Sequence, residues 1–170
     1  PINSYQLLNT AKRTGSNLSI IESGRKINEK MPEHVIDLTL NAFDHASLPL
    51  ENSHILILGV SYKPNVKDIQ LTPAEEIIKR LKNKNVIVHL YDPYFTSTEV
   101  FGITVEKNIE DIISKVDATI IVTGHDEFKK LDISLFNKMQ HPILIDTRGI
   151  INPFIAKENK LIFRGLGRGE

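Results

Sequence analysis

Four groups of residues have the types and the spacing to do chemistry. The first lies in "GVSYKPNVKDIQLTPAEE", where Lys63 stands four residues beyond Gly59 and Thr72-Pro73-Ala74-Glu75 reads as a helix-capping box with proline at the first helical position. A helix N-terminus carries partial positive charge, so Lys63 and that terminus together could hold an anion such as a diphosphate. The alternative is a solvated loop lysine. A dinucleotide fingerprint needs three glycines and a P-loop ends in Gly-Lys-Ser/Thr, and this run has neither, so a main-chain cradle for pyrophosphate is not expected.

The second group is "YDPY", where Asp92 could accept from a ribose hydroxyl or simply start a turn. The third is "VTGHDEF", where His125 could do acid–base work or serve as a capping or surface residue. No second histidine lies at ligand spacing and there are no cysteines, so a metal site is not expected. The fourth is "DTRG", where Arg148 is suited to bidentate anion contact or to an ion pair with Asp146.

Each group follows an apolar run: "HILIL", "VIVHLY", "ATIIV" and "PILID", with a weaker run "LIF" near the end. Short β-rich runs separated by helix-length segments predict βαβ units and a parallel sheet buried on both faces. The fold class expected from residue 51 to 170 is therefore α/β, a Rossmann-like parallel sheet with helices on both faces. Ligands of such sheets sit beyond the carboxyl ends of the strands, where the four groups fall. Upstream, Ile20, Ile27, Met31, Val35, Leu38 and Ala42 recur at helical spacing. Two helices are predicted over residues 1–50, divided near "RTGSN", with a kink or break at Pro32 and a boundary in "DHASLPLENS".

Composition bounds the function. The 170 residues contain 21 basic and 21 acidic side chains, so bulk charge points to no nucleic-acid or membrane-surface partner. The apolar runs are too short to span a bilayer and no signal pattern opens the chain, which reads as cytoplasmic.

The motifs "GVSYKPNVKDIQLTPAEEII", "VHLYDPY", "IIVTGHDEFKKLD" and "LIDTRGI", with "IESGRKINEKMPEHVIDL" upstream, resemble the C-terminal half of the nucleotide-sugar 6-dehydrogenases. "SYKPNV", "INEKMP" and "DTRG" are more similar to the UDP-N-acetylmannosamine branch than to the UDP-glucose branch. The resemblance implies a central helix that pairs two subunits into a homodimer and a domain that grips the UDP part of a UDP-sugar, while NAD is held mainly by an N-terminal domain. It implies substrate contacts from Tyr62, Lys63 and Arg148, and cofactor-side positions at Asp68 and Gln70. The family commonly has arginine where Gln70 stands, so that contact here lacks charge.

"PINSY" resembles the segment after the family's catalytic cysteine, with Asn3 where an aspartate often helps activate water. With the cysteine and the glycine-rich unit absent, the chain reads as a C-terminal fragment, expected to bind nucleotide without turnover. Two other readings stand beside it: a stand-alone nucleotide-binding or regulatory module, and an unrelated Rossmann-like enzyme.

Overall fold

A computed structural model of the chain describes residues 2–168. Two helices open it, α1 (Ile2–Thr14) and α2 (Ser19–His45), and a turn leads into β1 (His54–Leu58). Then come α3 (Pro73–Lys82), β2 (Ile87–Tyr91), the short hairpin β3 (Glu99–Val100) and β4 (Ile103–Thr104), β5 (Ala118–Ile121), β6 (Ile143–Asp146), α4 (Pro153–Glu158) and β7 (Ile162–Gly165). The five main strands form one sheet in the order β2-β1-β5-β6-β7, every neighbouring pair parallel. The chain leaves β1 for β2 on one side and returns to β5 on the other, so the topological switch lies between β1 and β5.

Alternate residues of one strand feed two cores. Ile55 and Ile57 of β1 pack with Val35, Phe43, Ile77 and Leu81 from α2 and α3. Leu56 and Leu58 pack with Ile112, Phe128, Phe136 and Ala156 on the other face. A strand covered on both sides cannot alternate apolar with polar, which is why the β1 run Ile55–Leu58 is continuously hydrophobic. The expected α/β Rossmann-like fold is present, with two differences in detail.

Only the β1–β2 crossover contains a long helix. The later ones use 3-10 turns at Ile113–Lys115, Phe128–Lys130 and Ile133–Lys138, and the six-residue α4. Pro32 does not break α2, which runs for 27 residues. The proline is buried, and packing of the following turns (Val35, Ile36, Thr39, Phe43) against the sheet offsets the lost hydrogen bond. That half of α2 belongs to the core of the sheet domain, and Arg164 fastens its end to β7 through Oδ1 of Asn41 (2.6 Å). The turn at 46–53 thus separates elements without separating cores.

Candidate functional site

Gly59 follows β1 at φ +87°, and a Cβ there would lie 2.5 Å from Cβ of Thr123. The glycine therefore serves the close approach of the β1 and β5 ends and not a phosphate cradle. From this point residues 60–72 form a loop tied to its surroundings. Buried Asp92 accepts at Oδ2 from the N–H groups of Val60 (2.8 Å) and Ser61 (3.2 Å). Tyr62 N–H donates to the carbonyl of Asp68 (3.0 Å), and Thr123 Oγ1 donates to the carbonyl of Ser61 (2.5 Å).

The loop ends at Thr72, whose hydroxyl caps α3 by accepting from Ala74 N–H (3.2 Å). The reciprocal half of the expected box does not form: Thr72 N–H donates to the Ile69 carbonyl, and Glu75 is exposed.

Beyond β6, buried Asp146 accepts at Oδ1 from Arg148 N–H and Gly149 N–H and at Oδ2 from Ile151 N–H, each 2.8 Å. Its carboxylate is used to fold the turn, and among the described residues no Arg148–Asp146 ion pair forms. Instead Nε of Arg148 donates to the Val122 carbonyl. Burial of part of the side chain lowers the pKa of Arg148, against the opposing pull of Asp146, but an arginine keeps its charge in proteins. No partner among the described residues takes its terminal nitrogens, which are left for a ligand.

These elements enclose a cleft of about 710 Å³ between α2, the start of α3 and the carboxyl ends of the strands. Tyr62, Val122, Thr147, Arg148 and Leu166 line it from the sheet side, Met31 and Val35 from α2, and Thr72 and Pro73 from α3. It opens at the switch point, the place where such sheets hold ligands, and its volume lies within the range of small-molecule sites. Charge is mixed: Arg25, Lys79 and Arg148 face Glu75 and Glu76. The two carboxylates in the first turn of α3 already answer its dipole, so the positive end of that helix is a weaker anion site than the capping pattern suggests.

Of the residues singled out in the sequence, the cleft gathers Tyr62 and Arg148, with Thr72, Pro73 and Glu75 of the capping pattern. Lys63 is exposed and outside the lining, with its Nζ 5.4 Å from the Tyr62 ring centroid. Asp68 and Gln70 are exposed on the loop, Asp68 Oδ1 accepting from Gln70 N–H (2.8 Å), and neither lines the cleft. Asn3 is exposed on α1. Asp92 and His125 are both fully buried, so Asp92 presents no oxygen to a ribose and His125 is not a surface cap.

Sequence reasoning missed Arg25 and Tyr5. Arg25 donates through Nη2 to the Tyr5 hydroxyl (2.6 Å), which donates in turn to Glu29 Oε1 (2.7 Å), and the guanidinium lies 4.3 Å from the Tyr5 ring centroid. Both line the cleft. The signal was a cation and an acid four residues apart on α2, which also describes any solvated helix face.

A doubly wound parallel sheet with a cleft at its switch point has the architecture in which nucleotides are commonly bound. Residues 56–153 match the family model described as "UDP-glucose/GDP-mannose dehydrogenase family, UDP binding domain", and the chain belongs to that family.

A UDP-N-acetyl-D-mannosamine dehydrogenase of Pyrococcus horikoshii is 34% identical over 172 residues, covering 100% of this chain and 38% of the relative. A UDP-glucose 6-dehydrogenase of Bacillus subtilis is 27% identical, covering 99% of this chain and 37% of its own length. The solved structure of the P. horikoshii UDP-D-ManNAc dehydrogenase superimposes with a TM-score of 0.80 at 31% identity over 94% of this chain and 36% of that one. The chain thus spans less than two-fifths of the relatives it matches.

The residues present do not form a site for a whole NAD. The one glycine of the β1–α3 loop is used against Thr123, and Gln70 brings no charge to a pyrophosphate.

Proposed function

We propose that this chain is the nucleotide-gripping part of an NAD-dependent dehydrogenase that oxidises the C6 alcohol of a UDP-hexose to the uronic acid. The observation that carries the reading is the placement of Arg148: its backbone is fixed by Asp146, its Nε is held by Val122, and its terminal nitrogens are left over beside a nucleotide-sized cleft. A guanidinium presented in that way suits a diphosphate, which it can meet with two parallel hydrogen bonds.

In this reading Tyr62 forms the wall of the site. Lys63 swings its flexible stem from beside that ring toward the phosphates. Asp68 and Gln70 face the cofactor side, and Asn3 stands next to the reacting carbon. NAD is held mainly by a part of the protein outside this chain, and the chain alone binds nucleotide without turnover. UDP-N-acetylmannosamine is favoured over UDP-glucose by the higher identity to the relative named for it. The enzyme works in the cytoplasm, supplies a precursor of surface polysaccharide and is a homodimer paired through α2. Support for pairing comes from Ile20 and Ile27, exposed and seven residues apart on one face of that helix.

Calorimetric titration of the chain with UDP tests the reading. Arg148→Ala is expected to weaken binding about tenfold or more, the scale of a lost charge-assisted contact. Unchanged affinity overturns it.

A further inference from the structure

The ring of His125 sits with no exposed surface between Tyr94, at a centroid distance of 5.1 Å, and the edge-on ring of Phe128, at 5.2 Å. Both its nitrogens are used. Nδ1 accepts the main-chain N–H of Asn65 (2.9 Å), and Nε2 faces Oδ2 of Asp92 (3.1 Å). Burial, the largest single influence, pushes the Asp92 carboxyl up, but hydrogen bonds from His125 and from Tyr94 and Val60 N–H together hold it below the usual carboxylate range. It is therefore an ionised acceptor. A peptide N–H can only donate and a carboxylate can only accept, so one imidazole form satisfies both neighbours: neutral, with its proton on Nε2.

The same Asp92 oxygen accepts from Val60 N–H, Ser61 N–H and the Ser61 hydroxyl (3.1 Å). Asp92 thus grips the start of the segment 60–65, and through His125 it grips the end. Asn65 adds a reciprocal pair with Asp126: its Nδ2 donates to Oδ2 (2.8 Å), and its Oδ1 accepts from Asp126 N–H (3.1 Å). Tyr62 and Lys63 lie between these anchors. A loop closed at both ends loses little further entropy when a ligand binds, so what fixes the anchors acts on affinity without touching the ligand.

We infer that His125 is a positioning residue, whose Nδ1 holds the Asn65 N–H and so keeps the Tyr62-Lys63 turn in its nucleotide-binding conformation. This rests on the proposed reading of the cleft. With both ring nitrogens engaged, the histidine has no free valence for acid–base chemistry.

The test uses the 170-residue chain and three substitutions, with UDP affinity by calorimetry and Asn65 amide exchange by NMR. His125→Asn puts an amide oxygen near the place of Nδ1 and can still accept from Asn65. His125→Gln reaches toward Asp92 and leaves the Asn65 N–H unpaired, and His125→Ala loses both contacts.

The expected result is faster Asn65 exchange and about tenfold weaker UDP binding for Ala and Gln, with most of both restored in Asn. Nitrogen shifts of the native ring at neutral pH should report a proton on Nε2 alone. Equal losses in all three variants, no loss in any, or a ring protonated at Nδ1 would overturn the inference. If the native chain fails to bind UDP, the reading of the cleft falls, while the exchange and nitrogen-shift measurements still decide whether His125 holds the loop.

Discussion

The Cα of Gly59 lies so close to Thr123 that a Cβ on the glycine would stand 2.5 Å from the threonine Cβ and 2.9 Å from its main-chain nitrogen. Both atoms belong to strand ends on either side of the switch point, where the sheet has no room to give. Gly59→Ala adds a clash to a left-handed φ that alanine resists. The expected loss is about 2 kcal/mol or more, read from the urea midpoint. A variant within 0.5 kcal/mol of the native chain, about the range of a neutral surface substitution, would mean that the two strand ends separate freely.

A pair of stacked histidines on the neighbouring strands β1 and β2 is expected to make stability depend on pH. His54 and His89 stack at 5.3 Å, with Nδ1 of one 3.0 Å from Nε2 of the other. Burial first, and then the charge of His54, lower the pKa of His89 below its ordinary 6.5, against the pull of Glu106. The unfolded chain therefore takes up the proton first on acidification. The stabilising contribution is complete above pH 6.5 and is lost as pH falls through the lower folded value, with a slope of at most about 1.4 kcal/mol per pH unit for one proton. His89→Gln should flatten denaturant midpoints measured from pH 7.5 to pH 5. An unchanged slope assigns the dependence to other groups.

Ile20 is 87% exposed and Ile27 is 64% exposed. Helix faces of this kind become dry when two copies pair, and a charge placed there costs several kcal/mol to bury. Ile27→Glu is expected to shift the chain from dimer to monomer in sedimentation velocity while leaving its circular dichroism unchanged. A native chain that is monomeric at tens of micromolar would remove the pairing role of α2.

The sheet was legible because its central strands are buried on both faces: Leu56, Leu58 and Leu144 have no polar neighbours in sequence to break the runs. β7 was fainter, since an edge strand with half-buried Ile162 and Phe163 needs less hydrophobic character. In the β2–β5 crossover Ile109, Ile112, Ile113 and Val116 have helical spacing and are all buried, yet only Ile113–Lys115 winds into a 3-10 turn. Pro32 misled in the opposite direction, since local propensity disfavours it and burial against the sheet overrides propensity.

In the site, Arg148 was legible from its place after a strand. His125 was noticed in the sequence but its contacts were not legible, because its partners Asn65 and Asp92 stand 60 and 33 residues away and a list of residue types carries no distances. Arg25 escaped for the same reason, since its hydroxyl partner, Tyr5, sits on another helix.

The cleft between α2 and the strand ends is proposed to receive a nucleoside diphosphate. Amide chemical-shift mapping of the chain during a UDP titration tests it most directly. Saturable shifts are expected at Tyr62, Lys63, Thr72–Glu76, Val122 and Thr147–Arg148, and Arg148→Ala should require about tenfold more UDP to reach the same shifts. Saturable shifts confined to other surfaces, or none at millimolar UDP, would contradict it.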